Sequence, residues 1–384
     1  MKGTLAKVLA LDDFEVLARK RLPKAIYGYI SGAAERNLTR DDNRNAYDGF
    51  GFMPRVLRNV AHRSMRTSLF GVDYAAPFGI APMGIAALST YQGDIVLAQA
   101  AEQENIPFVL SGTSLTRMED VATVAPRSWF QAYLPGTPER IDALIDRVTA
   151  TGFRTLVVTV DIPVGGNRDN IMRAGFSTPL RPGLRLAWDG VSHPRWLLGT
   201  FVRTLLDGMP HFENSFAERG APIVSRTVDR DFSQRDHFDW NHIRRIRERW
   251  KGNLVIKGVV SPEDAILARD HGADAVVLSN HGGRQLDGVV SPLRVLPGVV
   301  AAVGSLPVMI DGGVRRGTDV LKALALGAKF VFVGRPFNYA AAVGSRPGVV
   351  HGISLLKAEI DRDLAMLGAN QLEELSGDIL RRFD

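Results

Sequence analysis

The run NLVIKGVVSPEDAILARDHGADAVVLSNHGG, residues 253–283, joins two short apolar segments through a stretch of helical pattern. Ser261–Pro262 is a helix start, because serine caps free backbone amides and proline is tolerated in the first turn, and Gly272 is a helix stop. Strands that are apolar on both faces are typical of parallel sheets covered by helices. The run therefore predicts a β-α-β unit.

Similar units recur on both sides of this run. Eight apolar, β-rich segments begin at Pro77, Pro107, Ser128, Thr155, Asn253, Ala275, Leu306 and Lys329. Helical patterns between them include Asp94–Glu104, Pro138–Thr149, Pro262–Arg269 and Thr318–Leu326. Eight such units indicate an α/β protein built as a (β/α)8 TIM barrel, with an open doubly wound sheet as the alternative.

The spacing of the units predicts one domain, residues 1–384, with the barrel at about 75–340 and helical caps at 1–60 and 340–384. Strand 4 is followed by an insertion at about 164–240, roughly seventy residues beyond an ordinary connection. Its part between Arg173 and Arg203 is basic and contains tryptophans. Such a segment either lies in a membrane interface or packs on the barrel rim as a lid, and both interpretations stay open.

Composition excludes several classes of protein. With 45% hydrophobic and 23% charged residues, the chain has an ordinary globular composition. Its net charge of +6 is spread along the sequence, which fits anionic substrates or an anionic membrane surface but is too diffuse for nucleic acid. The absence of cysteine excludes disulfides, thiolate metal sites and cysteine nucleophiles. Neither a secretion signal nor a membrane-spanning segment is recognisable, so we expect a cytoplasmic protein, either soluble or peripheral on the inner face of the membrane.

Polar residues concentrate at the predicted carboxyl ends of the strands, where parallel barrels carry their active sites. Because these ends come together at one face, we expect a shared site built from Ser111, Gln131, Tyr133, Thr159, Asp161, Lys257, Ser279, His281, Arg284, Asp311, Arg315 and Arg335.

Two glycine-containing turns follow the last two strands. DGGVRRG begins at Asp311, and Gly334–Arg335 ends the last strand. Glycines let backbone amides approach an anion, a following helix N-terminus favours negative charge, and the arginines add charge. These turns predict a phosphate site.

A third turn, SNHGGRQLD from Ser279, contains His281 and Arg284. Imidazole is a natural general base near neutral pH, and an arginine can bind a carboxylate through two hydrogen bonds. Asp161, on a different strand, is a candidate to orient His281. The remaining histidines have no metal-ligand spacing, so we predict no metal site.

The motifs occur in an order that resembles the FMN-dependent L-2-hydroxy acid oxidase and dehydrogenase family, which includes glycolate and lactate oxidases, L-lactate dehydrogenases and L-mandelate dehydrogenase. The resemblance extends from LPKAIYGYISGAAE to about Asn338 and is carried by IAPMG, LSGTS, WFQAY, TVDIPVGGNRDN, VIKGVV, SNHGGRQLD, IDGGVRRGTDVLKALALGA and FVGRPF.

The resemblance implies roles in the oxidation of an L-2-hydroxy acid to the 2-oxo acid. His281 would be the base and Asp161 its partner. The residues expected to bind the substrate are Arg168 and Arg284, which would hold its carboxylate, together with Tyr29 and Tyr133.

FMN is the cofactor that the resemblance implies. Lys257 would lie beside flavin N1, where its charge stabilises the reduced, anionic flavin. The residues expected to line the ring and ribityl chain are Met83, Gly84, Ser111, Gln131, Thr159 and Ser279. Those expected to hold the phosphate are Asp311, Gly312, Gly313, Val314, Arg315, Gly334 and Arg335.

The electron acceptor stays open. Gly84 stands where some strict oxidases of the family have alanine. Gly112 and Thr113 stand where some members have bulkier or differently polar residues, which would enlarge the substrate pocket. Together with the basic insertion, these residues favour a dehydrogenase that passes electrons to a quinone or another carrier at a membrane. The alternatives are an oxidase that reduces O2 to H2O2, a non-catalytic phosphate-binding barrel, and non-redox FMN chemistry such as isomerisation. By resemblance we expect a homo-oligomer, a tetramer.

Overall fold

The structure is a computed structural model that describes residues 2–177, 179–181, 183–225 and 235–383. The predicted insertion at 164–240 therefore lies partly outside the described residues, at positions 178, 182 and 226–234.

Eight parallel strands form the centre of the molecule, which confirms the predicted barrel. In chain order, β1 to β8 are Phe78–Ile80, Val109–Ser111, Trp129–Ala132, Thr155–Thr159, Asn253–Val259, Ala275–Leu278, Val308–Asp311 and Phe330–Val333. Each strand pairs with its neighbour in the sequence, and β8 pairs with β1. A parallel bridge between Ile80 and Phe108 closes the ring between β1 and β2.

Helices surround the strands. In chain order, α1 to α16 are Lys2–Leu5, Leu11–Arg21, Lys24–Ser31, Leu38–Asp48, Gly93–Gln103, Met118–Val124, Pro138–Thr151, Asp169–Arg173, Leu184–Val191, Pro194–Trp196, Val202–Leu206, Trp240–Arg249, Pro262–Asp270, Pro292–Val303, Gly317–Ala325 and Arg335–Leu367. A π-helical stretch, Leu197–Phe201, joins α10 to α11, and Ser345 interrupts α16 with a positive φ of 52°. Short 3-10 turns occupy Ala86–Leu88, Leu372–Glu374 and Gly377–Ile379.

The helix boundaries follow from local chemistry. The Ser261 side chain accepts a hydrogen bond from the Asp264 amide at the start of α13, with Pro262 in the first turn. Thr137 caps α7 in the same way through the Arg140 amide. These starts agree with those predicted from the sequence.

Two apolar layers hold the barrel together. Inward side chains of alternate strand positions, such as Val157, Val255, Met309 and Phe332, fill its interior. Outward side chains pack against the surrounding helices. Because the interior is filled with side chains, a ligand can enter only at the ends of the strands.

Short antiparallel pairs complete the fold. Thr67–Leu69 pairs with Val72–Tyr74, and Leu69 and Tyr74 join the interior cluster at one end of the barrel. Phe50–Phe52 pairs with Leu380–Arg382, which ties the N-terminal cap to the C-terminal segment.

The N-terminal helices α3 and α4 cover the carboxyl ends of the strands. The Ala34 amide donates to the Gly283 carbonyl at 2.7 Å, and Asn43 and Asn280 exchange two amide hydrogen bonds of 2.7 and 2.8 Å. This cap therefore forms part of the wall around the site.

The insertion has one face packed on the protein. Trp196 is buried and donates its indole N–H to the Leu88 carbonyl at 2.7 Å. Asp189 accepts hydrogen bonds from the Lys24 and Ala25 amides at the start of α3. No helix in the described ranges combines the length and apolar composition needed to cross a bilayer.

Candidate active site

A cavity of about 550 Å³ opens at the carboxyl ends of the strands, beneath the N-terminal cap. Its volume is in the range of pockets that hold cofactors and small ligands. The predicted site residues that line it are Tyr29, Met83, Gly84, Tyr133, Thr159, Arg168, Lys257, His281, Arg284, Asp311, Gly312, Gly313, Val314, Arg315, Gly334 and Arg335. Of the other predicted residues, Ser111, Asp161 and Ser279 are hydrogen-bonded to members of this wall, and Gln131 is hydrogen-bonded to Ser111.

His281 and Asp161 form the central pair of the site. His281 Nδ1 lies 3.0 Å from Asp161 Oδ1, although the two residues follow different strands, β6 and β4. A carboxylate only accepts hydrogen bonds, so Nδ1 carries the proton and Nε2 keeps its lone pair. The Tyr133 hydroxyl lies 3.4 Å from Nε2, which places the basic nitrogen on the cavity side of the ring.

Burial sets the protonation state of this pair. Burial lowers the pKa of His281 below its ordinary value, and the Asp161 carboxylate opposes that shift. For Asp161, burial alone would raise the pKa, but His281, Lys257 and a backbone hydrogen bond together outweigh burial, and the pKa lies below its usual range. At neutral pH the pair is thus a neutral imidazole against a carboxylate, ready to take up one proton.

His281 also has an unusual backbone conformation. Its φ is 57°, in the left-handed region that non-glycine residues rarely adopt, and it begins a run of positive φ values that continues through Gly282 and Gly283. Such conformations persist where the surrounding structure imposes them, and they concentrate at functional sites. The turn after β6 therefore sets the direction of the imidazole.

Arg168 and Arg284 lie together on the cap side of the cavity. The Arg168 Nε–H donates to the Arg284 carbonyl at 2.9 Å, and the Arg284 guanidinium carbon lies 4.8 Å from the centre of the Tyr29 ring. Burial, followed by repulsion from Arg284, lowers the pKa of Arg168. A carboxylate between the two guanidinium groups would relieve this repulsion.

Lys257 lies on the floor of the cavity. Its Nζ donates to Ser279 Oγ at 2.8 Å and forms an ion pair with Asp311 Oδ2 at 3.0 Å. Burial opposes the charged form, but the carboxylates of Asp311 and Asp161 outweigh burial and raise the pKa of Lys257. The lysine is therefore a buried, permanent positive charge.

Three buried polar atoms near this floor have no hydrogen-bond partner within the described part of the chain: Gln131 Nε2, Thr159 Oγ1 and Asp311 Oδ1. Gln131 Oε1, by contrast, accepts from Ser111 and from the Gly112 amide. Buried polar groups are ordinarily satisfied, so this set fits a ligand that has donors and acceptors on one edge.

The turn after β7 approaches the cap closely. Gly312 and Gly313 have φ values of 101° and 80°, and a Cβ on Gly313 would lie 1.9 Å from the Asn43 carbonyl oxygen. Helix α15 starts at Gly317, shortly after the turn, so the positive end of its dipole lies beside the two glycines, while the Gly317 amide itself donates to Glu359 Oε2. Two glycines followed by a helix N-terminus form a cradle for an anion.

Arg315 and Arg335 add charge to this cradle. Arg335 donates to the carbonyls of Ile30 and Gly32 at the end of α3. Burial, and then the nearby Arg284, lowers the pKa of Arg335 to about 10. Arg335 still carries its charge at neutral pH, so the cluster attracts anions.

The structure adds Arg235 and Phe212, which the sequence did not indicate, to the cavity wall. Thr113, which the resemblance to the family had pointed out, also lines the cavity. Arg235 and Phe212 come from the long insertion, where no strand or repeated motif marks them. Thr113 is close enough that a Cβ on Gly84 would meet its Oγ1 at 2.3 Å, which explains the glycine at position 84.

Comparisons with known proteins agree with this geometry. Residues 18–382 match the family described as FMN-dependent dehydrogenase. The chain is 39% identical to (S)-mandelate dehydrogenase of Pseudomonas putida, over 97% of this chain and 93% of that protein. It is 37% identical to L-lactate dehydrogenase of Xanthomonas campestris pv. campestris (strain B100), over 98% of this chain and 97% of that protein.

Solved structures are similar as well. A crystal structure of monotopic membrane protein (S)-mandelate dehydrogenase aligns with a TM-score of 0.91 and 38% identity, covering 98% of this chain and 100% of the other. A mandelate oxidase structure aligns with a TM-score of 0.80 and 31% identity, covering 98% and 99%.

Proposed function

The chain belongs to the FMN-dependent dehydrogenase family, and from this we propose that it oxidises an L-2-hydroxy acid to the corresponding 2-oxo acid, with FMN as its cofactor. The observation that carries the reaction is the neutral His281, paired with Asp161 at 3.0 Å and facing the same cavity as Arg168 and Arg284.

The residues present fit FMN. The unpartnered atoms of Gln131, Thr159 and Asp311 match the edge of a flavin ring, which has both donors and acceptors. The cradle at Gly312 and Gly313 would hold the phosphate. When bound, FMN supplies the redox chemistry by accepting two electrons from the substrate.

Arg168 and Arg284 would bind the substrate carboxylate, and Tyr29 would complete that part of the wall. This contact orients the substrate so that its hydroxyl faces His281 Nε2 and Tyr133. Because the reacting groups are then held next to each other in the correct orientation, the reaction does not depend on their meeting by diffusion.

His281 would then take up a proton through Nε2, and the charge of Asp161 would stabilise the resulting imidazolium. Burial, reinforced by Asp161, raises the pKa of Tyr133 to about 12, so its hydroxyl stays protonated and can donate. Lys257 would balance the negative charge that the cofactor gains.

An anaerobic absorption spectrum tests the proposal. Purified protein should show a flavin band that is bleached by one of L-lactate, L-mandelate, glycolate or longer L-2-hydroxy acids. A flavin band that no hydroxy acid bleaches would remove the proposed reaction, and colourless protein that does not bind FMN would favour the non-catalytic barrel.

The base is tested by His281→Gln, which should retain FMN and lose reduction by the substrate. His62→Gln is the matched control, because His62 is exposed and lies outside the cavity wall. Reduction of the His281 variant at a near-normal rate would refute the assignment.

The electron acceptor of this enzyme is proposed to be a quinone or another carrier. The oxidase alternative is supported by the likeness to mandelate oxidase. Stopped-flow mixing of the reduced protein with air-saturated buffer separates the two, because an oxidase is reoxidised rapidly and a dehydrogenase slowly.

We also propose that the enzyme attaches peripherally to the inner, cytoplasmic face of a membrane through its insertion. In α9, Leu184 is 93% and Trp188 75% exposed, one turn apart on the same face. Leu198 and Leu206, farther along the insertion, are also exposed, and arginines are interleaved with these residues in the sequence. Exposed apolar and basic residues on short helices suit an anionic lipid surface.

Sedimentation with vesicles containing phosphatidylglycerol tests the attachment. A variant with Leu184→Ser and Trp188→Ser should stay in the supernatant, while Leu57→Ser, at an equally exposed leucine elsewhere, should sediment as the parent does. Failure of the parent to sediment would refute the proposal. The tetrameric state expected by resemblance stays a prediction.

A further inference from the structure

The start of helix α3 is capped from a distant part of the chain. Its N-cap residue is Pro23, whose side chain has no atom that can accept a hydrogen bond from the first free amides. Asp189, in helix α9 of the insertion, supplies the acceptors instead. Its Oδ1 lies 3.0 Å from the Lys24 amide nitrogen, and its Oδ2 lies 3.1 Å from that of Ala25. Both oxygens of one carboxylate are therefore used to hold the first turn of α3.

The other end of α3 holds two of the arginines of the site. Arg284 donates to the carbonyls of Tyr29, at 2.6 Å, and Gly32, at 3.2 Å. Arg335 donates to the carbonyls of Ile30, at 2.9 Å, and Gly32, at 3.0 Å. The carbonyls at the C-terminal end of a helix carry partial negative charge, which favours guanidinium groups there. The position of α3 therefore decides where these two guanidinium groups lie.

The side chain of Tyr29 connects α3 to the cavity as well. Its ring lies in the cavity wall, 4.8 Å from the guanidinium carbon of Arg284, and packs against the buried Phe176 with 4.7 Å between the ring centres. One helix of eight residues, about 12 Å long, thus joins α9 to the wall beside Arg168 and Arg284. These two arginines are called the carboxylate clamp below, because they would bind the substrate carboxylate.

The contacts of α3 divide into two kinds. Along its side, a Cβ on Gly28 would lie 2.2 Å from the Cβ of Ala174, so the helix backbone lies directly against the insertion. A flat contact of this kind restrains a helix sideways, whereas hydrogen bonds to its terminal amides fix it along its axis. The Asp189 side chain is only 19% exposed, so water competes little for its oxygens, and hydrogen bonds to a charged acceptor are strong.

We propose, resting on the function proposed above, that Asp189 is a positioning residue for substrate binding, because it holds α3 where Arg284 and Tyr29 meet the substrate carboxylate. In Asp189→Asn the charge is lost and one side-chain oxygen remains, so one of the two amides of α3 loses its acceptor. Arg284 follows the carbonyls to which it is bonded, and the carboxylate clamp loses its fit. His281 and Asp161 follow strands of the barrel, so the chemical step keeps its rate once the substrate is bound.

Anaerobic stopped-flow reduction of the FMN-loaded protein tests the proposal, with the hydroxy acid that bleaches the flavin. The dependence of the rate on substrate concentration gives an apparent Kd and a limiting rate. In Asp189→Asn the apparent Kd should rise by about 5- to 20-fold, part of the usual effect of losing a charged hydrogen bond. The limiting rate should stay close to that of the parent, as expected for an interaction that serves binding alone. An unchanged apparent Kd, or a loss confined to the limiting rate, would overturn the proposal.

Two further variants separate positioning from a general loss of stability. Asp189→Glu keeps both carboxylate oxygens and should recover part of the apparent Kd. Glu374→Gln is the matched control, because Glu374 is an exposed carboxylate that accepts from the amides of Asn370 and Gln371 at the start of a turn outside the cavity wall. It should leave both the apparent Kd and the limiting rate unchanged. A rise in the apparent Kd of this control equal to that of Asp189→Asn would contradict a specific role of Asp189.

A double-mutant cycle tests the route through α3. Asp189→Asn is combined with Arg284→Lys, and the apparent Kd of the double variant is compared with those of the two single variants. If the carboxylate acts through Arg284, the two losses overlap, and the double variant should lose less than the product of the two fold-changes. Substitutions that act independently would give that product, and this result would overturn the proposal.

A binding measurement separates this inference from the reaction itself. Pyruvate, phenylglyoxylate and 4-methyl-2-oxopentanoate are titrated into the oxidised, FMN-loaded protein, the change in flavin absorbance gives their Kd values, and the tightest ligand is the probe. Its Kd should rise in Asp189→Asn and partly return in Asp189→Glu, which supports the inference even if no hydroxy acid reduces the flavin, a result that would refute only the proposed reaction. An unchanged Kd in Asp189→Asn would overturn the positioning role. Failure of all three ligands to bind the parent would refute the carboxylate clamp and, with it, this inference.

Discussion

Replacing Asp161 by Asn tests how the site produces a base. The substitution keeps the size of the side chain and an oxygen that can accept from His281 Nδ1, which lies 3.0 Å from Asp161 Oδ1. It removes the negative charge that stabilises the imidazolium. We expect FMN to remain bound and reduction by the substrate to slow.

The magnitude follows from the geometry of the pair. Two unit charges 3.0 Å apart interact by about 5–6 kcal/mol at an effective dielectric constant of about 20. The asparagine oxygen retains part of this interaction energy. Another part is not lost because the proton is only partly transferred in the transition state, so the imidazole does not yet carry a full charge. A loss of about 3–4 kcal/mol remains, which corresponds to a 10²–10³-fold slower reduction.

The pH dependence of the reduction rate gives a second, independent test of the role of Asp161. Activity requires neutral His281 and is lost as the pH falls through its pKa. The Asp161 carboxylate raises the pKa of His281 against the effect of burial, so its removal lowers that pKa further. The acidic limb of the variant should therefore lie at lower pH than that of the parent, even though the variant is slower.

Anaerobic stopped-flow bleaching at saturating substrate, measured across pH 5–8 (a range of about 3 units that spans the ordinary His pKa), records both effects. Asp270→Asn, at an exposed carboxylate on α13, is the control and should match the parent. An acidic limb that stays in place or moves to higher pH would refute the role of Asp161, as would a rate within about tenfold of the parent.

Three further predictions concern the cofactor site and stability. Lys257→Met removes the buried charge proposed to lie beside the cofactor, so the reduced, anionic flavin loses stabilisation. The flavin midpoint potential should fall by about 60 mV, or about 3 kcal/mol for two electrons. An unchanged potential in spectroelectrochemistry would contradict the assignment of Lys257. Gly313→Ala places a Cβ 1.9 Å from the Asn43 carbonyl at a φ of 80°, so the flavin-to-protein ratio and Tm should both fall. Gly298→Ala, at an open helical position, should lower neither, because alanine is the better helix former. Burial raises the pKa of Asp94 to about 6. The folded state then holds a proton that the unfolded state releases, so the free energy of unfolding should fall by about 2 kcal/mol between pH 4 and 6 and remain lower at pH 7. Urea unfolding of Asp94→Asn across this range should lack that part of the pH dependence.

The barrel could be predicted from the sequence because its signals are local. Each strand is a short apolar run, and each helix start or stop lies within a few residues, as at Ser261. The catalytic motifs could be found for the same reason, since glycines, His281 and Arg284 lie together in SNHGGRQLD. The carboxyl ends of parallel strands meet at one face, so the convergence of these motifs follows from the topology.

Other features depend on contacts between distant segments. The close approach of Asn43 to Gly313 requires the cap helix to cross the turn after β7. Arg235 enters the cavity from an insertion that has no regular pattern, and no local signal distinguishes it from other arginines. Likewise, only the folded structure shows that Leu184 and Trp188 are exposed whereas Trp196 is buried.

By itself, the sequence thus determined the order of the strands and helices, the motifs of the site and the family to which they belong. The tertiary structure alone decided the neutral state of His281, the charge of Lys257 and the position of Arg235. The physical reason is that pKa values and cavity walls depend on burial and on charges brought together from distant parts of the chain, whereas strands, helix caps and turns depend on neighbouring residues.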